Sequence, residues 1–452
     1  MIFYINIMLF PWLTQSYWRD EAFTVLLAQH SFVDILKLSA QDFSPPLYTL
    51  ILKLWMYVFG VSEIATRSLS MVFYILTVGI MVVMMRKVFV VSRINAMILT
   101  IPLALISPIL SYYAFETRMY AMLACIATAS WYFFLRKQTR FHLLMTIIGL
   151  YTHYFMILII VTQLICSTFS WFRCKRKSRF SIPPNFIYAF IAFVPWLLLV
   201  TLFHQAKASE AFWISKPDVY QLFTIPGMLV TGFEKAFSFY YNLWPITYVV
   251  MGLIGFGLLV CYQSARIVNT DKKADWFEDN DTRHFVALCL WAFVPSVVIW
   301  IGSQLSTPLF LPRYLIVSAP ALILLIALSL SHFRILFKVA GLVIIVFLLW
   351  RYQVLQIIFR TKEDMRGKIY AIRKTASPTD YLIVESELDY HIAQIYWFSK
   401  DNVRITKVKY IDIPSYVGKS LIPSSAVITP DQAKRLTGYT LNQAHQATPI
   451  IW

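Results

Sequence analysis

Long apolar runs, each closed by a short basic or aromatic-polar stretch, fill the first 353 residues of this 452-residue chain, and from about residue 354 the pattern turns polar. A helix needs about 20 apolar residues to cross a bilayer. Runs of that kind lie at roughly 1–16, 64–85, 94–112, 119–135, 141–172, 186–204, 244–265, 284–303, 313–331 and 335–353. The 141–172 run is long enough for two short helices, which brings the expected count to 11 spans. After residue 354, helical stretches (Glu363–Thr375, Tyr390–Phe398) alternate with strand-like ones (Asp380–Val384, Val403–Tyr410), and a strand-helix pair closes the series at Ala426–Leu436. Alternation of that kind predicts a small α/β unit over 354–452.

Composition supports a membrane protein. Hydrophobic residues make up 59% and charged residues 14%, against about 25% charged in soluble domains. The five cysteines (125, 166, 174, 261, 289) fall in apolar runs or beside basic loops, and none lies in the polar tail, which argues against a disulfide framework or a zinc-finger spacing. Residues 1–13 carry no basic lead and no small-residue cleavage site, so they do not read as a cleaved signal, although the run is short for a span.

The formal net charge of +17 gathers in loops: Arg86/Lys87/Arg93, Arg136/Lys137/Arg140, the run Arg173–Arg179, Arg266/Lys272/Lys273/Arg283, and Arg334/Lys338. Such clusters mark cytoplasmic loops, and the charge is read as topology, with no nucleic-acid partner. Putting all five clusters on one side makes 141–172 a hairpin turning near Thr152-His153-Tyr154. It also keeps the apolar stretch 46–60 from crossing, leaving it a juxtamembrane helix in the outer interface. The N-terminus is then cytoplasmic, and 354–452 is an extracytoplasmic domain on a multi-pass transmembrane domain, 1–353, in the cell membrane. The first outer loop spans 17–63, and a long outer loop at 205–243 (Phe212-Trp213-Ile214, Pro217) is expected to cover the site.

This layout, drawn from Lys and Arg, collects Asp20, Glu21, Asp42, Glu116, Arg118, His153 and Arg313 at the outer ends of spans. Ionisable groups at a membrane edge are costly to hold and are functional hypotheses by default. Asp20-Glu21 reads as a base for an incoming hydroxyl or amine beside a second carboxylate that orients the acceptor or a metal. The plainer alternative is two acids complementing the dipole of the helix at 22–30. Glu116 and Arg118, with Tyr120, are either a helix-capping ion pair or a second polar wall of a site. His153 is either a satisfied interior histidine or a site group. Arg313, followed by Tyr314, is either an interface anchor or a holder of lipid phosphate, for which a guanidinium fork is suited. Lys53 is a further cation at interface depth and, with Arg118 and Arg313, a candidate to meet a lipid phosphate at the site.

Taken together, the runs RDEAFTVLLA (19–28), DFSPPLYTLILKLWMYVFGVSEIATR (42–67), SPILSYYAFETRMYAM (107–122), LYTHYFMIL (150–158), LPRYLIVSAPALILLIA (311–327) and KEDMRGKIYAIRKTASPTDYLIV (362–384) resemble the membrane-embedded glycosyltransferases of the C-type fold. The resemblance is to bacterial relatives of the dolichyl-phosphate-mannose–protein mannosyltransferases, glycosyltransferase family 39. It implies an α-helical polytopic enzyme with a C-terminal α/β domain. Such an enzyme moves a sugar from a polyprenyl-phosphate donor to a protein, lipid or envelope glycan on the outer face. Asp20 matches the family's catalytic acid and Glu21 its companion. Glu116 and Arg118 match the second outer motif, and Arg313 the basic residue near the carrier phosphate. Many relatives carry His before the Pro-Pro pair where this chain has Ser44, which leaves dependence on a divalent metal open. Two other classes compete. A lipid-linked oligosaccharide ligase or polymerase would use Arg and His in the long loop, where only His204 and lysines occur. A lipid transporter would show paired halves and midplane charges, and neither is seen.

Overall fold

The computed structural model describes residues 11–173, 183–204, 214–233, 243–268, 280–407, 419–441 and 447–449. The first ten residues of the expected first span, most of the basic run 173–179, residues 205–213 (with Phe212 and Trp213) and 234–242 of the 205–243 loop, and residues 408–410 of an expected strand lie outside the described residues.

Three short helices, α1 (Arg19–Ala28), α2 (Phe32–Gln41) and α3 (Leu47–Phe59), fill the first loop and lead into α4 (Glu63–Lys87). Then come α5 (Arg93–Ile106), α6 (Pro108–Ala114), α7 (Tyr120–Leu135), α8 (Thr139–Thr152), α9 (Met156–Arg173) and α10 (Pro184–Phe203). The remainder of the bundle is α11 (Val219–Phe223), α12 (Ile225–Thr231), α13 (Trp244–Val268), α14 (Asn280–Leu305), a 3₁₀ stretch (Pro312–Ser318), α15 (Ala319–Ser331) and α16 (Ile335–Phe359). The Pro312–Ser331 element is buried along almost its whole length and forms the axis of the bundle, whereas the other long apolar helices leave most of their surface outward.

Six of these helices are long and apolar enough to cross a membrane, or seven if a bent pair counts as one span. The expectation was 11. The expected span at 1–16 lies mostly outside the described residues, and the rest of the difference lies in short elements: α7, α8 and α9 have 16, 14 and 18 residues, and at 1.5 Å per residue a 16-residue helix reaches only about 24 Å of a roughly 30 Å hydrocarbon core. The run expected as one span at 94–112 is instead broken at Ser107, where α5 and α6 meet at 67°. Pro108 explains the break. It disfavours helical geometry at Ser107, which is extended (ψ 113°), and then opens α6 as its first residue.

The hairpin over 141–172 is present. Helices α8 and α9 are separated by His153–Phe155, and His142 Nε2 meets Gln163 Oε1 at 3.0 Å, which places the two helices side by side and antiparallel. The 46–60 stretch forms the 13-residue α3, with Tyr48, Thr49, Leu52 and Met56 buried and Leu54, Tyr57, Val58 and Phe59 outward. At about 20 Å it is too short to cross alone.

Beyond α16 the chain forms α17 (Met365–Arg373), β1 (Tyr381–Val384), α18 (Glu387–Tyr396), β2 (Val403–Thr406), β3 (Val427–Ile428), α19 (Pro430–Ala433), β4 (Gly438–Leu441) and β5 (Ala447–Pro449). The sheet order is β3-β2-β1-β4-β5; β1 pairs in parallel with β2 and β4, β2 pairs in parallel with β3, and only β5 is antiparallel. Apolar strand residues Leu382, Val384, Val403 and Ile405 share one core with Tyr17, Ala22 and Val25 at the start of the first loop and with Tyr48 and Leu52 of α3. The α/β unit therefore seats directly on the helices that carry the acidic pair.

Candidate active site

Helix α1 begins after Trp18, whose extended backbone (ψ 164°) makes it the N-cap. Asp20 and Glu21 are then the second and third helical residues, where the unpaired amides of the first turn favour negative charge. Consecutive positions on a helix point about 100° apart, so the two carboxylates face different surroundings.

Glu21 faces inward and is fully buried. Its Oε1 accepts from Arg67 Nε (2.9 Å) and the Thr117 amide (2.9 Å), and its Oε2 from Arg67 Nη2 (2.8 Å), the Trp18 amide (2.9 Å) and Lys362 Nζ (2.9 Å). These donors hold the carboxyl well below the usual carboxylate range, against the opposing effect of burial. Arg67 also donates to the carbonyls of Trp12 (3.0 Å), Leu13 (2.9 Å), Gln15 (2.7 Å) and Ser16 (3.2 Å). Glu116 sits behind this pair. It is buried, lies 3.5 Å from Lys362 Nζ, and burial together with the neighbouring Glu21 raises its pKa.

Asp20 points the other way. Its Oδ2 lies 3.7 Å from Arg313 Nη1 and 3.9 Å from Arg118 Nη2. The carboxylate side chain is 35% exposed, whereas the arginines are recessed at 9% and 16%. Both separations exceed a direct hydrogen bond, so the two cations flank the carboxylate without saturating it. Arg118 is steadied along α1 by bonds to Thr24 Oγ1 (3.0 Å) and the Asp20 carbonyl (3.4 Å). Arg313 is carried by the 3₁₀ stretch packed against α7 and α14. Aromatic rings complete the wall: Tyr120 and Tyr314 lie 6.0 Å and 6.1 Å from the His153 ring, and Phe155 stacks on His153 at 5.0 Å. His153 Nδ1 accepts the Phe155 amide (3.1 Å), which fixes the ring at the α8–α9 turn. A cavity of about 240 Å³, bounded in part by Trp18, Arg19, Tyr112, Arg360 and Lys362, adjoins the same helix start.

The grouping thus contains Asp20, Arg118, Tyr120, His153, Arg313 and Tyr314. Glu116 and Glu21 stand behind it, and Glu21, expected to act beside Asp20, is turned away and enclosed. Lys53 is not part of the grouping. Its ammonium donates to the His30 carbonyl (2.7 Å) and lies over Phe32, at the opposite end of α1, about 15 Å along the helix from Asp20. Asp42 is also elsewhere: it ends α2, accepts the Ser420 hydroxyl, and is raised by burial to about 6. Two residues not singled out from the sequence, Arg67 and Lys362, hold the acidic pair in place. Arg67 carried a signal, since it is a charge at the head of an apolar run. Lys362 follows the last long helix and carried none.

For a metal, the expectation was open. Among the described residues no three His, Cys, Asp or Glu side chains converge to hold an ion. Ser44, in place of the frequent His, donates its amide to the Ser39 carbonyl (2.9 Å).

The chain is similar to the crystal structure of ArnT from Cupriavidus metallidurans in the apo state, with a TM-score of 0.63 at 12% identity, covering 98% of this chain and 92% of that one. It is equally similar to ArnT from the same organism bound to undecaprenyl phosphate, with a TM-score of 0.62, 12% identity and the same coverage. The chain shares the fold of these two ArnT structures. No protein-family model and no curated protein sequence matches the chain, so assignment to family 39 stays with the sequence resemblance.

Two outcomes follow from this arrangement. Replacing Arg67 with Met leaves the buried Glu21 with Lys362 as its bonded cation and two backbone amides, and should cost about 3–5 kcal/mol, read as a lowered unfolding temperature in detergent. Arg67→Lys should recover little, because an ammonium cannot bridge both carboxylate oxygens and four carbonyls. For Asp42, a folded-state pKa above the unfolded value of about 3.9 means the folded chain binds the extra proton, so this group's contribution falls as pH rises from about 4 to about 6. Asp42→Asn should remove that slope, seen as a wild-type-minus-variant difference in unfolding temperature that changes across this window and is flat above it.

Proposed function

We propose that this protein is a membrane glycosyltransferase that takes a sugar from a polyprenyl-phosphate donor at the Asp20 site and transfers it to an acceptor hydroxyl or amine. The observation that carries the reading is one outward-facing carboxylate flanked by two recessed guanidinium groups, in a fold shared with a protein solved with undecaprenyl phosphate. The net charge of Asp20, Arg118 and Arg313 together is positive, as an anionic donor requires.

In the proposed step the acceptor oxygen or nitrogen attacks the anomeric carbon and the bond from that carbon to the phosphate oxygen breaks. The acceptor proton passes to the Asp20 carboxylate, and the bonding electrons leave with the polyprenyl phosphate. Arg118 and Arg313 stabilise the charge that builds on the departing phosphate, in a recessed setting where such interactions are worth more than in water. Tyr120, Tyr314 and His153 wall the sugar. Glu21 acts by holding the start of α1, and Glu116 and Lys362 complete its support. One in-line displacement inverts the anomeric centre. No step is routed through a metal.

The same reading takes α7, α8 and α9 as crossing together with the run at 1–16, giving 11 spans. The N-terminus is then cytoplasmic, and the site and the 354–452 domain lie on the outer face of the cell membrane.

Asp20→Asn, assayed with membranes and labelled polyprenyl-phosphate sugars, should lower transfer by about 10²–10⁴-fold with the unfolding temperature kept; equal transfer by both proteins would remove Asp20 from the chemistry. Arg313→Ala should raise the donor KM by a larger factor than it lowers saturated turnover. An unchanged donor dependence would count against contact with phosphate.

A further inference from the structure

Away from Asp20, helices α4 and α5 leave a groove of about 400 Å³ between them. Its α5 wall is Arg93, Met97, Ile101 and Leu105, spaced every fourth residue and therefore on one helix face. Gly79 sits in the α4 wall, and a side chain added there would meet nothing within 4 Å. At one end the groove is bridged by Tyr74, whose hydroxyl donates to the Ala104 carbonyl (3.1 Å). At the other end stand Arg86 and Arg93. Both are exposed, and neither has an ion-pair partner among the described residues. Arg93 and Leu105, 12 positions apart on α5, are separated by about 18 Å along the helix, close to the apolar depth of one leaflet.

We propose that this groove is a binding site for an anionic glycerophospholipid, with one acyl chain lying between α4 and α5 and the phosphate between Arg86 and Arg93. An apolar channel one leaflet deep takes the chain. Two guanidinium groups without carboxylate partners take the phosphate, and a basic pocket between membrane helices is the setting in which anionic head groups are held. The site is separate from the active site. Arg67, which braces Glu21, and Arg86 lie 19 residues apart on α4, about 28 Å along one helix, so the head group belongs to the leaflet remote from Asp20. The inference does not depend on the proposed transferase activity.

Native mass spectrometry of the full chain in detergent tests it, with phosphatidylglycerol and phosphatidylcholine of the same acyl chains as probes. The wild type should retain phosphatidylglycerol in clear preference to phosphatidylcholine. Arg86→Gln/Arg93→Gln should weaken retention of phosphatidylglycerol by about thirtyfold. Gly79→Leu, which keeps both arginines and fills the channel, should weaken it by at least tenfold. Equal retention of the two lipids would overturn the proposal. So would loss in the arginine variant with none in Gly79→Leu, which is diffuse surface attraction, or displacement by inorganic phosphate, which is head-group binding without a chain. Retention of undecaprenyl phosphate in place of phosphatidylglycerol would overturn it as well, by assigning the groove to the carrier lipid.

Discussion

The buried pair of Glu21 and Arg67 is the constraint on which the site depends. A carboxylate and a guanidinium removed from water are tolerated only when nearly every lone pair and proton is matched, and here they are. Glu21 takes bonds from the N-cap residue of α1, from α4, from the loop before α7 and from Lys362 beyond the last long helix. Arg67 spends its remaining donors on the carbonyls of residues 12–16. Segments up to 341 residues apart in sequence are thereby tied at one point. Loosening any of them would leave a charge without a partner in a dry interior, so the start of α1 has one position.

That position decides what Asp20 can do. Because Glu21 is held inward, the helix turn sends Asp20 outward, between cations brought from the α6–α7 loop and from the 3₁₀ stretch before α15. Adjacent residues of the same chemical type thus have different roles: the enclosed one is a brace, and the exposed one is left without a close hydrogen-bonding partner on its carboxylate. A carboxylate in full contact with arginine would be a poor base. The gaps of 3.7 and 3.9 Å leave Asp20 accessible between two cations.

Much of this was legible in the chain. Apolar runs marked α4, α10, α13, α14 and α16 because crossing a bilayer takes about 20 consecutive apolar residues, a length visible in the string. The hairpin at 141–172 followed from charge parity, and the alternation after residue 354 gave β1, β2 and α18. Elements decided by a local backbone constraint were less visible. The break at Ser107 depends on one proline, and β4 is a short strand whose parallel partner, β1, lies far away in sequence, with β5 in turn pairing on β4. Lys53 was placed at the site because cations at interface depth look alike in a sequence, whichever end of α1 they face.

Residue order alone determined that this is a helical membrane chain with polar chemistry gathered at the ends of its apolar runs, because hydrophobic length and the placement of Lys and Arg are properties of a linear string. Which of two neighbouring acids is exposed, and which arginine braces the enclosed one, was decided only in three dimensions. Those outcomes rest on directions and distances among Arg67, Thr117, Arg118, Arg313 and Lys362, and close contacts between remote segments leave no periodic trace in the sequence that makes them.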